Sequence, residues 1–257
     1  MSEQTLDDLL KTLHLPSVRG SYSETARMAR GEGLTYEQFL YNLCEIEVED
    51  RFHHRTQRLL RESRLPLEKT WDNFEQDRLP LVLRQQMRTL GEGAFLDRAE
   101  NVLAFGNPGS GKTHLLCALA QKLTLAGRRI LYRPCSLLVQ DLLAAKRDLA
   151  LAKILKHLSL YEGLLIDDLG YVQQSRDEME VLFTLLAERY ERGSVLITSN
   201  LPFSAWEQIF KDPMTTAAAI DRLVHHSVIL ELNLPSYRMD AARARTPQPE
   251  AQTGLPE

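Results

Sequence analysis

The chain has 257 residues, of which 44% are hydrophobic and 26% charged, with a net charge of −4. That length carries one to two domains with a real core, and the composition excludes a disordered, collagen-like or disulfide-stapled chain. Cys44, Cys117 and Cys135 form no CxxC pair, no apolar run approaches the ~18 residues of a membrane span, and the acidic stretch Met1 to Asp8 is expected to be neither signal nor transit peptide. We therefore expect a cytoplasmic protein with no membrane partner.

Residues 1 to about 65 read as helical. Leu6, Leu9, Leu10 and Leu13 recur at helical spacing, and Pro16 predicts the end of that helix. Thr35, with Gln38 three residues on, predicts the start of a long helix from about Tyr36 to Ser63. Charge is uneven along it. Residues 1–50 hold four basic and ten acidic side chains, whereas residues 51–69 hold six basic and two acidic. Arg51, Arg55, Arg58, Arg61 and Arg64 fall on neighbouring turns of this helix and are candidates for DNA phosphate contact. A solvated helix face explains the same spacing, and both readings stay open. We expect a helical DNA- or partner-binding domain over 1–66, then a linker and pre-core helix over 67–100.

From Asn101 the pattern changes to short apolar runs alternating with helical stretches. Val102–Phe105, Arg129–Tyr132, Leu164–Ile166, Val195–Thr198 and Val228–Leu232 predict buried strands. Helices are predicted from about Lys112 to Ala126, Leu137 to Leu158 and Asp177 to Arg192. This alternation predicts an α/β fold over 101–240 with a parallel five-stranded sheet flanked by helices. Residues 241–257 are Pro-rich and polar and read as a disordered tail.

The strongest chemical signal is Gly106-Asn107-Pro108-Gly109-Ser110-Gly111-Lys112-Thr113, followed by His114. It matches the phosphate-binding pattern GxxxxGK[ST] and stands between a predicted strand and a predicted helix. Backbone N–H groups of such a loop face phosphates, Lys112 reaches the β- and γ-phosphates, and the Thr113 hydroxyl binds Mg²⁺. Leu164-Leu165-Ile166-Asp167-Asp168 is an apolar strand ending in two acids. Asp167 is the candidate metal partner and Asp168 the candidate general base for a water. Val195-Leu196-Ile197-Thr198-Ser199-Asn200 ends in polar residues, of which Asn200 is the candidate for positioning that water.

In this order the residues resemble the AAA+ ATPases of the IstB-like transposition-helper type, relatives of the DnaC helicase loaders. The resemblance rests on GNPGSGKTHL, LLIDDLGY, LITSNLPFSAW, IDRLVHHS and PSYR, and spans about residues 5 to 240. It implies that Arg222 is an arginine finger directed at a neighbouring subunit and that Arg238 senses nucleotide in its own. It implies ATP and Mg²⁺ as cofactors, a homo-oligomer with ATP at subunit interfaces, and double-stranded DNA and a cognate transposase as partners. A second basic group, Lys146, Arg147, Lys153 and Lys156, lies where related initiator ATPases direct a helix at DNA. Two alternatives stand beside this reading: a DnaC-like helicase loader, and a monomeric P-loop kinase acting on a small molecule. Asp168 departs from the Glu that many AAA+ proteins carry as catalytic base, which implies slow or assembly-dependent hydrolysis.

Overall fold

The computed structural model describes residues 5–170, 175–210 and 212–237. The chain divides into two compact units between Leu59 and Leu60. The first unit holds α1 (Leu6–Thr12), α2 (Pro16–Glu32) and most of α3 (Tyr36–Glu62). Thr5 and Asp8 exchange the two hydrogen bonds of a capping box at the start of α1. Pro16, expected as a stop, is the first residue of α2, a position where its missing N–H costs nothing and its φ is already helical.

No local side chain caps α2. Glu47 of α3 does so instead: its carboxylate accepts from the Ser17 N–H at 3.0 Å and the Val18 N–H at 3.1 Å. Glu47 is only 4% exposed. Its other oxygen accepts from Arg51 Nε at 2.8 Å, and the same guanidinium donates to the His14 carbonyl. Burial pushes the Glu47 carboxyl up, but the Arg51 bond and the two backbone N–H groups outweigh it and hold the acid below its ordinary range. The apolar core beside this network is small: Leu10, Val18 and Leu43. Thr35 and Gln38 exchange backbone-to-side-chain bonds at the head of α3, as the spacing predicts.

The second unit opens with Leu65, Phe74, Leu79 and then α4 (Leu81–Leu90) and α5 (Ala94–Asp97), whose apolar side chains join one of the two large core clusters. The strands follow as β1 (Asn101–Gly106), β2 (Ile130–Pro134), β3 (Gly163–Leu169), β4 (Ser194–Ser199) and β5 (Ser227–Leu232). All pairs are parallel, in the order β2-β3-β4-β1-β5. Between them run α6 (Lys112–Leu125), α7 (Cys135–Arg147), α8 (Leu151–Leu158), α9 (Arg176–Arg189), α10 (Glu207–Phe210) and α11 (Pro213–Val224).

The single helix expected over 137–158 is two, because Leu149 takes a left-handed φ of 55° and breaks the hydrogen-bond ladder. Two apolar clusters cover the sheet, one on each face. This is why the strands read as unbroken apolar runs rather than alternating ones. Cys117 lies in one cluster, where burial pushes its thiol up to about 12. It is a packing residue, not a nucleophile. Among the described residues no helix is long and apolar enough to cross a membrane.

Candidate active site

The strand order brings the C-terminal ends of β1, β3 and β4 side by side, the edge at which parallel sheets bind ligands. β1 delivers the Gly106–Thr113 loop. Gly106 passes so close to β5 that a Cβ there would stand 2.3 Å from the Leu232 carbonyl oxygen, so only glycine fits. Gly111 caps α6 with a φ of 96° and no side-chain acceptor, leaving the first N–H groups of α6 facing outward. Ser110 Oγ is buried in the loop with no hydrogen-bond partner among the described residues. Lys112 is 7% exposed, and its ammonium donates to the Gly106 and Asn107 carbonyls at 2.8 and 2.9 Å. An unpartnered hydroxyl, a near-buried cation and an uncapped helix start form a cradle that suits anionic oxygen.

Asp167 is 5% exposed and its carboxylate collects three hydroxyls. Oδ1 accepts from Thr113 at 2.8 Å and from Thr198 at 2.6 Å, and Oδ2 accepts from Tyr132 at 3.0 Å. Burial and the adjacent Asp167 push the Tyr132 phenol well above its ordinary range, so it remains a donor. Adjacent strand residues ordinarily point to opposite faces. Here β3 shifts register against β4 between Ile166 and Leu169, and Asp168 takes a φ of 60° while its N–H donates to Thr198 Oγ1 at 2.8 Å. That irregularity lets Asp168 line the same cleft as Lys112 and Thr113.

The cleft has a volume of about 470 Å³ and is lined also by Asn200, His114, Lys69, Phe74 and Tyr237. Residues 66–78 are fastened to the loop helix. His114 Nε2 stands 2.8 Å from the Thr70 carbonyl and its ring meets Phe74 edge-on at 5.2 Å. Gln121 Nε2 donates to the Pro66 carbonyl at 2.7 Å. From the other end, the Tyr237 N–H donates to the Gly109 carbonyl at 3.0 Å, and Arg78 lies 3.9 Å over the Tyr237 ring.

The family of IstB-like ATP binding proteins matches residues 8–245. The chain belongs to that family. An insertion sequence ATP-binding protein of Sinorhizobium fredii is 40% identical over 250 residues, covering 95% of this chain and 84% of that one. The IS21 ATP-binding protein of Pseudomonas aeruginosa is 35% identical over 238 residues, covering 93% and 90%. Among solved structures, the DnaC helicase loader superposes with a TM-score of 0.51 at 18% identity, over 58% of this chain and 87% of that one. The fold is thus that of the AAA+ P-loop proteins, and this IstB-like chain is an ATPase.

The remaining candidate residues of this IstB-like ATPase are not among those lining the cleft, or lie outside the described residues. Arg222, on α11, does not line it. Its guanidinium lies 4.6 Å over the Phe183 ring, and its Nη1 is buried with no hydrogen-bond partner among the described residues. Arg238 and residues 241–257 lie outside the described residues. Arg51, Arg55 and Arg58 belong to the first unit, Arg61 and Arg64 to the second. Arg51 is engaged with Glu47, and Lys146 pairs with Glu180 at 2.8 Å. Arg147 ends α7, and Lys153 and Lys156 lie on α8.

Sequence reading passed over Tyr132 and Thr198 as site residues, because a lone tyrosine or threonine at a strand end matches no motif. Their place on the strands flanking β3 was the available signal, once the order β2-β3-β4 was known.

Proposed function

We propose that this ATPase assembles on double-stranded DNA in its ATP-bound form and assists a cognate transposase in selecting and using target DNA. The insertion-sequence names of its relatives support the transposition setting. The observation that carries the assembly is the separation of roles: Lys112, Thr113, Asp168 and Asn200 line one cleft, whereas Arg222 does not. The cations among its described lining residues are Lys112 and Lys69; in this reading a neighbouring subunit's Arg222 adds the one that stabilises charge on the transferred γ-phosphoryl group.

In this reading Lys112 and the uncapped start of α6 bind the β- and γ-phosphates. The Thr113 hydroxyl and Asp167 carboxylate form an all-oxygen donor pair that suits Mg²⁺, which neutralises charge on the phosphate oxygens when bound. Thr198 fixes the Asp167 carboxylate at Oδ1, the oxygen it shares with Thr113, and Tyr132 fixes it at Oδ2. Asp168 takes a proton from the water that attacks the γ-phosphorus, Asn200 orients that water, and the bond from the γ-phosphorus to the β–γ bridging oxygen breaks to release ADP and phosphate. Arg238 acts on nucleotide in its own subunit. DNA contact comes from Arg51, Arg55, Arg58, Arg61 and Arg64, the basic run along and just after α3. The basic group on α7 and α8 is the second contact.

Electron microscopy with DNA and ATP tests the proposal. It predicts multi-subunit particles on DNA that disappear when ATP is omitted. Monomers that hydrolyse ATP equally well with and without DNA would contradict it.

A further inference from the structure

Away from the nucleotide cleft, Glu191, His225 and His226 bring one ligand atom each to within 4.8 Å of one another. We propose that these three side chains form a binding site for a divalent transition metal, of which Zn²⁺ is the best fit. Two imidazoles and one carboxylate are the donors that borderline metals choose over Mg²⁺ or Ca²⁺. At metal–ligand bonds of ~2.0–2.2 Å, tetrahedral ligand atoms stand about 3.4 Å apart, so the three exposed side chains need close by only about 1.5 Å.

The backbone under the cluster is already fixed. His226 is pinned by its carbonyl, which accepts from the Asn101 N–H at 2.7 Å. The two imidazole rings lie 4.1 Å apart at an interplanar angle of 57°. The Tyr190 hydroxyl stands 3.0 Å from His225 Nδ1, an outer hydrogen bond of the kind that orients a metal-binding ring. Glu191 is held out by a tight turn in which the Arg192 N–H bonds the Arg189 carbonyl at 3.0 Å. Its φ of 56° follows a Tyr190 at φ −53° and ψ 124°, the pattern of a type II turn. That third position ordinarily takes glycine or asparagine. The sequence places a carboxylate there at a conformational cost, beside two histidines.

The site has a consequence for the proposed chemistry, and this clause alone rests on Arg222 being the trans-acting arginine. Glu191 follows α9, which carries Phe183, and His225 follows α11, which carries Arg222. A metal here ties the ends of the two helices that hold the guanidinium on its aromatic ring, and so fixes where Arg222 is presented.

The test uses the full chain without a histidine tag, free of nucleotide and of Mg²⁺, titrated with Co²⁺ as the spectroscopic probe. We expect one Co²⁺ per chain with the intense visible absorption of low-coordinate nitrogen and oxygen ligation, displaced by one equivalent of Zn²⁺. Both Glu191→Gln and the double variant His225→Ala, His226→Ala should weaken binding, by at least ~10-fold for the first and to background for the second. Zn²⁺ at 100-fold excess over its Kd should also raise the Tm of the unaltered chain by roughly 5 °C, with no rise in the double variant. Absence of Co²⁺ or Zn²⁺ uptake by the unaltered chain would overturn the proposal whatever the variants do, as would uptake that survives in a folded double variant. Because these readouts need no ATP turnover, their failure leaves the nucleotide site untouched, and failure of the Arg222 reading leaves the metal site standing.

Discussion

The two units of this chain spend their buried polar groups differently. In the second unit Asp167 gathers Thr113, Thr198 and Tyr132 beside a cleft lined by Lys112 and Asp168, over a sheet with a large apolar cluster on each face. Among the described residues of the first unit, the buried acid Glu47 is taken up by the α2 backbone and Arg51, beside a small core of Leu10, Val18 and Leu43. A buried carboxylate facing a cleft is poised for chemistry; a buried carboxylate facing two N–H groups is a strut. What separates them is the partner each finds, not the residue type.

The comparison is sharpened most by removing the arginine proposed to act from a neighbouring subunit. Arg222→Ala should lower turnover in the assembly by roughly 10³-fold or more while leaving nucleotide affinity of the dispersed chain unchanged. Steady-state turnover alongside equilibrium nucleotide binding checks this. An equal loss of both would make Arg222 a fold residue holding α11 to α9. Next, Asp168→Asn should retain nucleotide binding and slow hydrolysis by at least ~10²-fold, leaving persistent DNA-bound assemblies. Turnover per assembled site near that of the unaltered chain would remove Asp168 from the chemistry. Lys112→Ala should then weaken nucleotide binding by at least ~30-fold with the fold intact, as loss of a buried cation from a charged pair does.

In the first unit the effects are structural and smaller. Glu47→Gln keeps the shape but loses the charge, and should destabilise the unit by roughly 1–3 kcal/mol. Amide hydrogen exchange over residues 16–20 of the full chain should accelerate at least ~5-fold, and unchanged protection would show that Glu47 is not the α2 cap. Because the folded carboxyl titrates below its ordinary value of 4.5, its contribution is full above that pH and is lost as pH falls through the lower folded value. The smallest expected change concerns DNA. Arg55→Gln with Arg58→Gln should flatten the slope of log affinity against log salt by about 0.9 per lost phosphate contact, with nucleotide binding unchanged. An unaltered slope would move the contact to Lys146, Arg147, Lys153 and Lys156.

The difference between the units also governs how much of each was legible in the sequence. Phosphate chemistry needs glycine, lysine and threonine at fixed offsets, and a buried parallel strand needs an unbroken apolar run. Residues 106–113 and 164–168 could therefore be read directly. Tyr132 and Thr198 could not, because their contact with Asp167 depends on which strands become neighbours, a property of the whole sheet. The first unit carries no such constraint. Pro16 reads as a stop, and the partner that makes it a helix start, Glu47, lies 31 positions away. Leu149 gives no local sign of the left-handed backbone that divides α7 from α8.

The central claim, that each nucleotide is cleaved between two subunits, is tested most directly by mixing. Arg222→Ala and Lys112→Ala chains should each turn over far more slowly alone than the unaltered chain, and in the proposed arrangement each keeps the side of the junction that the other has lost. Combined in equal amounts on DNA, with mixed assembly confirmed by differential labelling, they should regain turnover at about one junction in four by random pairing. Turnover that stays at the level of the separate variants would place Arg222 in service of its own subunit and contradict the account.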